Sequence, residues 1–232
     1  IVSSQTYKVL NSLKRVTEER SGRTGKNGWM IFGQLLLVVL LFGAFYAYLL
    51  FFRPHEYRNR KHVTFMVLLV TSFVALTAIT SQLDLFNVYI IPYAIVTILI
   101  RTFIDSRTAL FASLITIILS SLMVPFPFEF IVIQIAVAMV SVFMLKELSE
   151  RYQLIRSSFF ILIAYSLMYI GLVMHQEGNI NKIDPIIFIY FFINFIFILF
   201  SYSLVYLIEK FFGFISGVSL IELSNINKPL LK

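Results

Sequence analysis

The chain has 232 residues, 59% of them hydrophobic and 13% charged, with a mean hydropathy of +0.88, where a soluble domain is ~45–50% apolar and ~25% charged. The composition is that of an integral membrane protein, and the absence of cysteine excludes disulfides, thiolate metal sites and cysteine nucleophiles. The net charge of +7 would suit nucleic acid, but the basic residues flank apolar runs and read as topology signals, so no nucleic-acid partner is expected.

Residues 1–28 are polar and basic, without a cleavable signal peptide. Val9, Leu13 and Val16 recur at helical spacing, which predicts an amphipathic helix over Ser4–Arg20 capped by Ser3 or Ser4. It reads either as a soluble juxtamembrane helix or as an interfacial one. Ser21–Gly28 is a loop. With no Met at position 1, the chain is expected to be a fragment.

Seven apolar runs follow, at about Trp29–Phe52, Val63–Leu83, Leu85–Ile104, Thr108–Val124, Phe128–Leu145, Ser158–His175 and Pro185–Phe212. Each is near the ~20 residues that a spanning helix needs. Arg53-Pro54-His55-Glu56, Pro125-Phe126-Pro127 and Glu177-Gly178-Asn179 separate runs clearly. Only Ser81-Gln82-Leu83-Asp84 divides the second from the third. A single helix from Val63 to Ile104 would be roughly 63 Å long, too long for one crossing. The seventh run, roughly 42 Å, has about seven aromatics between Phe188 and Phe200, and can tilt or project beyond the bilayer. The expected fold is all-α: an integral membrane bundle of seven transmembrane helices, residues 29–212, in contact with lipid.

Charge sets the expected orientation. Loops after odd-numbered runs hold Arg53, Arg58, Arg60, Lys61, Arg101, Arg107, Lys146, Arg151 and Arg156, and Lys210, Lys228 and Lys232 follow the last run. Loops after even-numbered runs hold only Lys182. The basic side is the cytoplasm, which places the C-terminus inside and the N-terminus outside. The basic residues of 1–28 run against this rule unless they end a translocated domain, which crosses largely regardless of charge.

Polar residues near the spans are the candidates for function. Arg101 and Asp105, four apart at the inner end of the third run, can bridge, and Arg107 follows. They read as an interface anchor or as a relay between helices. Pro92 is expected to weaken or kink the third helix. Gln34, Gln134 and Asn194 are deeper, and each is expected to face another helix; a ligand site is the alternative for the last two. Small residues mark packing faces: Thr71, Ala75 and Ala78 in the second helix, Ala109, Ala112, Thr116 and Ser120 in the fourth, Gln134, Ala138 and Ser141 in the fifth. The second, fourth and fifth helices are thus expected inside, with the seventh partly lipid-facing. No central Lys, acidic row, Gly-rich phosphate loop or nucleophile–base set appears, so neither catalytic residues, nor a metal site, nor a cofactor are expected in this chain.

Three stretches carry a resemblance. Phe214–Leu231 reads FISGVSLIELSNINKPLL; IPYAIVTILIRTFIDSRTAL places Asp105, Arg107 and Ala109 at D-x-R-x-A; Ile1–Leu13 reads IVSSQTYKVLNSL. In this order they resemble the bacterial seven-transmembrane HD hydrolases, which include the PgpH-type cyclic di-AMP phosphodiesterases. The resemblance covers essentially the whole chain. It implies that residues 1–28 end an extracellular domain. It also implies that residues 213–232 are a cytoplasmic exit linker to an HD domain past Lys232. The catalytic ligands and two metal ions would belong to that HD domain. The chain is then expected to be the signalling module of a receptor-like cyclic di-AMP phosphodiesterase in the bacterial cytoplasmic (inner) membrane. Its partners would be its own extracellular and HD domains, an unidentified extracellular ligand and a second copy in a homo-oligomer. Gly213 and Gly217 are the expected flexible points of the linker. A passive anchor or assembly platform, or a small transporter, are the alternatives.

Overall fold

A computed structural model describes residues 11–12, 28–83, 87–145 and 151–214. Apart from residues 11–12, which are helical, the expected helix Ser4–Arg20 lies outside these residues, as do most of the exit linker, Gly217 and Lys146. Among the described residues all regular structure is helical. The α-helices from Gly28 onward are α1 (Gly28–Phe52), α2 (Pro54–Arg58), α3 (Arg60–Leu83), α4 (Ala94–Phe103), α5 (Ser106–Ser121), α6 (Pro127–Met144), α7 (Arg151–Glu177), α8 (Pro185–Leu199) and α9 (Ser201–Phe212). Short 3-10 turns stand at Val88–Ile90 and Ile180–Lys182.

Local chemistry explains where several of these helices start. Asp105 caps α5, accepting from the Thr108 amide at 2.7 Å. Asp184 caps α8, accepting from the Ile186 amide at 2.9 Å, and Pro185 takes the first helical position. Pro127 does the same for α6. These are the residue types that serve the unpaired amides of a helix start.

By length and composition, four helical stretches suit a membrane crossing: Gly28–Phe52, Arg60–Gln82, Pro127–Met144 and Ile155–Glu177. α8 and α9 make a fifth when taken together across their 41° bend. Val88–Phe103 and Ser106–Ser121 are apolar but shorter. At 1.5 Å per residue α4 is only about 15 Å long, half of the ~30 Å hydrocarbon core.

The chain divides into two compact units, residues 1–43 and 44–232. In the first, the described residues are 11–12 and the N-terminal part of α1, whose Trp29, Phe32, Leu36 and Leu40 are exposed. In the second, α4 is the hub. Ala94 to Ile100 are all buried, with α3, α5, α6 and α9 packed around them. A helix enclosed in this way need not span the hydrocarbon, because its ends meet protein rather than lipid. The chain then runs through neighbours, α5 on α6, α6 on α7 and α7 on α8. Phe143, Leu167, Ile189, Phe192 and Phe200 project outward, an apolar surface suited to lipid.

The small-residue faces of α5 and α6 are inside: Ala109, Ala112, Thr116, Ser120, Gln134, Ala138 and Ser141 are all buried. The α3 face differs from expectation. Thr71 and Ala75 are exposed, and Phe65, Met66, Leu69, Val70 and Thr77 face inward. Thr71 satisfies its hydroxyl on its own helix, at the Val67 carbonyl (2.7 Å), so it can face outward without an unmet hydrogen bond.

Candidate functional site: the membrane-exit turn

The last described residues are held against the ends of other helices. α9 stops at Gly213, which adopts a left-handed backbone (φ 69°) and donates its amide to the Glu209 carbonyl at 2.9 Å. Glycine reaches that conformation without the steric cost that a Cβ brings. Lys61, at the start of α3, donates from Nζ to the Phe212 carbonyl at 2.9 Å, capping one of the carbonyls that a helix end leaves open.

The turn directs Phe214 into an aromatic box. Its ring lies 4.9 Å from His62, 5.3 Å from Phe212, 5.4 Å from Phe103 and 5.6 Å from Phe65, centroid to centroid. Phe65 in turn meets Phe103 at 5.7 Å and Phe212 at 5.5 Å. Such edge-on and offset pairs each add about 0.5–1.5 kcal/mol beyond burial. His62 Nδ1 also pairs with the Glu56 carboxylate on α2. One turn of chain therefore touches α3, α4 and, through His62, α2.

Asp105 braces the same end. Its carboxylate takes the Thr108 amide and hydroxyl (2.7 and 3.2 Å) and Arg53 Nη2 (3.3 Å). Asp105 thus forms an ion pair with Arg53, 52 positions earlier, and Arg101 stands four positions before Asp105. The helix between them ends at Phe103, and Ile104 and Asp105 leave it in non-helical conformations, so the i,i+4 geometry no longer applies. A hydrogen bond with Tyr48 pushes the Arg53 pKa further up; burial opposes it and the Asp105 carboxylate adds to it. Arg101 is half-buried in the last turn of α4, and Arg107 is exposed in the first turn of α5.

The deeper polar residues fall into two groups. Gln34 is exposed on α1 within the first unit. Gln134 and Asn194 are fully buried. Gln134 Oε1 accepts from the Tyr165 hydroxyl at 2.8 Å. Asn194 Nδ2 donates to the Tyr89 carbonyl at 2.6 Å, and Phe191 packs between Tyr165 and Tyr89 at 5.0 and 5.8 Å.

Pro92 explains what Asn194 does. Instead of kinking a continuous helix, the backbone breaks: a 3-10 turn at Val88–Ile90, an extended Ile91, then α4 from Ala94. Non-helical backbone at membrane depth needs partners from the protein, and Asn194 supplies one. Beside this break Tyr93 meets the Thr77 hydroxyl, which reaches Ser120 at 3.3 Å.

Sequence reasoning missed Arg53, Lys61, His62 and the three tyrosines as partners. Phe214 carried a readable signal, since an apolar residue after a C-terminal glycine often packs back on its helix. The others act across 16 to more than 150 positions, and no local spacing marks them.

Searches of curated proteins and of solved structures find no match to this chain. The family model described as 7TM receptor with intracellular HD hydrolase matches residues 29–216. That span takes in the apolar helices and closes just past Phe214, and the chain belongs to this family of multi-pass membrane receptors, matching its membrane portion.

Proposed function

We propose that this chain is the transmembrane signalling module of a cyclic di-AMP phosphodiesterase in the bacterial cytoplasmic membrane. It couples an extracellular domain, residues 1–28 ending it, to an intracellular HD hydrolase through residues 213–232. The observation that carries this reading is the exit turn. Segment Phe212–Phe214 is bonded by Lys61 and enclosed by His62, Phe65 and Phe103, so a shift of α3 or α4 changes the direction in which the chain leaves. A passive anchor has no need of such a clamp.

The basic residues support the cytoplasmic placement of this end. Arg53, Arg58, Arg60, Lys61 and Arg101 gather where α1, α4 and α9 end and α3 begins, as the positive-inside tendency asks. In this reading the two metal ions reside in the HD hydrolase. Among the described residues of this chain no three His, Cys, Asp or Glu stand together to hold one.

The test uses the intact receptor in a bilayer, with cyclic di-AMP turnover measured with and without perturbation of the outer domain. Phe214→Ala is expected to keep basal turnover and to lose the response. Replacing the helices by an unrelated membrane domain should do the same. Full response in both variants would reduce the bundle to an anchor, and absence of cyclic di-AMP turnover in the unaltered receptor would reject the substrate.

A further inference from the structure

The end that carries the exit turn holds positive charge that nothing among the described residues neutralises. Arg58, Arg60 and Lys61 lie within four positions, where α2 ends and α3 begins, and all three are exposed. The carboxylates nearby are engaged. Glu56 pairs with His62, and Asp105 with Arg53 and the start of α5. On α9, Glu209 is followed directly by Lys210, so that helix adds no net negative charge. The Arg58 and Arg60 side chains have no partner among the described residues. Lys61 uses one N–H on the Phe212 carbonyl, leaving two for another acceptor.

The surroundings specify where that acceptor comes from. Phe51 and Phe52, at the end of α1, are each 74% exposed, and rings left bare in this way call for acyl chains. Tyr46 on the same helix and Tyr57 on α2 meet edge to face at 5.5 Å with hydroxyls 2.7 Å apart. Tyrosines with an apolar body and a paired polar tip sit at headgroup depth. A cationic patch that follows exposed rings within ten residues of chain matches the phosphate and acyl chains of one molecule.

We infer that Arg58, Arg60 and Lys61 bind the headgroup phosphate of an anionic phospholipid, and that Lys61 links this headgroup to the exit turn. The site does not depend on whether the turn carries a signal. It makes the Lys61 to Phe212 hydrogen bond sensitive to membrane composition, because the headgroup steadies the ammonium over the carbonyl.

The chain, reconstituted in nanodiscs, is probed by electron spin resonance with spin-labelled phosphatidylglycerol and, separately, phosphatidylcholine. Phosphatidylglycerol is expected to associate preferentially. Arg58→Gln with Arg60→Gln and Lys61→Gln should remove the preference, about fivefold for each residue, while Lys182→Gln leaves it unchanged. The glutamine at 61 can still donate to Phe212. Arg60→Gln alone repeats the readout should the triple variant lose helicity by circular dichroism. Equal association of both labels with the unaltered chain overturns the proposal, as does a preference that survives the substitutions. Loss of the preference in inorganic phosphate but not in sodium chloride of equal ionic strength would assign these residues to a soluble phosphate and likewise reject the lipid.

Discussion

Asp105 serves two structural ends with one carboxylate. It caps α5 through the Thr108 amide and pairs with Arg53. Asn preserves the cap and loses the ion pair, which is part-exposed and worth at most ~1 kcal/mol. Ala loses both, and a lost cap costs ~1 kcal/mol or more. Unfolding in mixed micelles should therefore rank Asp105→Ala below Asp105→Asn in stability, by about the value of a cap. Gly213 is a second such position. A Cβ there would sit 3.5 Å from Lys61 Nζ, ordinary contact, so the φ of 69° decides. Gly213→Ala should loosen the exit turn by about 1–2 kcal/mol, read as faster amide exchange at residues 212–214, and Gly213→Asn should be milder. Tyr57 carries a pH prediction. Its hydrogen bond with Tyr46 pushes its pKa up from 10.0. The neutral form is the favoured one, so the pair's contribution is whole below pH 10 and fades as pH rises through the raised value. Ultraviolet titration of tyrosinate should show one fewer late-ionising group in Tyr46→Phe than in the unaltered chain.

Two broken elements hold each other in place. The break that begins with the 3-10 turn Val88–Ile90 leaves the Tyr89 carbonyl for Asn194 to bind, and Asn194 stands on α8, which meets α9 at a 41° bend. Asn194→Leu should cost about 1 kcal/mol in unfolding and perturb α4 as well as α8, visible as exchange at the amides of residues 94–96. Ser201, the first residue of α9, is the opposite case. It is buried, and its hydroxyl has no partner among the described residues. Ser201→Ala removes a polar group that is desolvated without a hydrogen bond, so stability should be unchanged or rise by up to ~1 kcal/mol. A substantial loss would show that the hydroxyl is bonded in the bilayer.

At the scale of the whole molecule, α4 is where the parts meet. It touches α3, α5, α6 and α9, its Phe103 forms one wall of the box around Phe214, and its N-terminal break is tied to α8 by Asn194. A displacement of α8 thus has two routes to the exit turn, through α4 and directly along α9. Phe214→Ala cuts the first and leaves the second. Taking the ring out of the box should release residues 212–214 without unfolding the bundle, which amide exchange and circular dichroism together would show. A drop in bundle helicity would mean that the box supports the fold rather than the exit.

The sequence alone determined that the chain is helical and membrane-embedded, because runs of near-membrane length and sparse charge leave a backbone few other ways to satisfy its hydrogen bonds in lipid. It also marked the inward faces of α5 and α6, whose small residues recur at helical spacing. Tertiary structure decided the rest. Asp105 reaches Arg53, 52 positions away, because the backbone turns between 103 and 105 and brings the two helix ends together. The buried face of α3 is its large residues, since a threonine in a helix can satisfy itself and face lipid. The depth of α4 was hidden because a wholly buried helix and a lipid-facing one are equally apolar. The exit site joins Lys61, Phe103 and Phe214 across 151 positions from Lys61 to Phe212, a proximity that only the packing of helices creates.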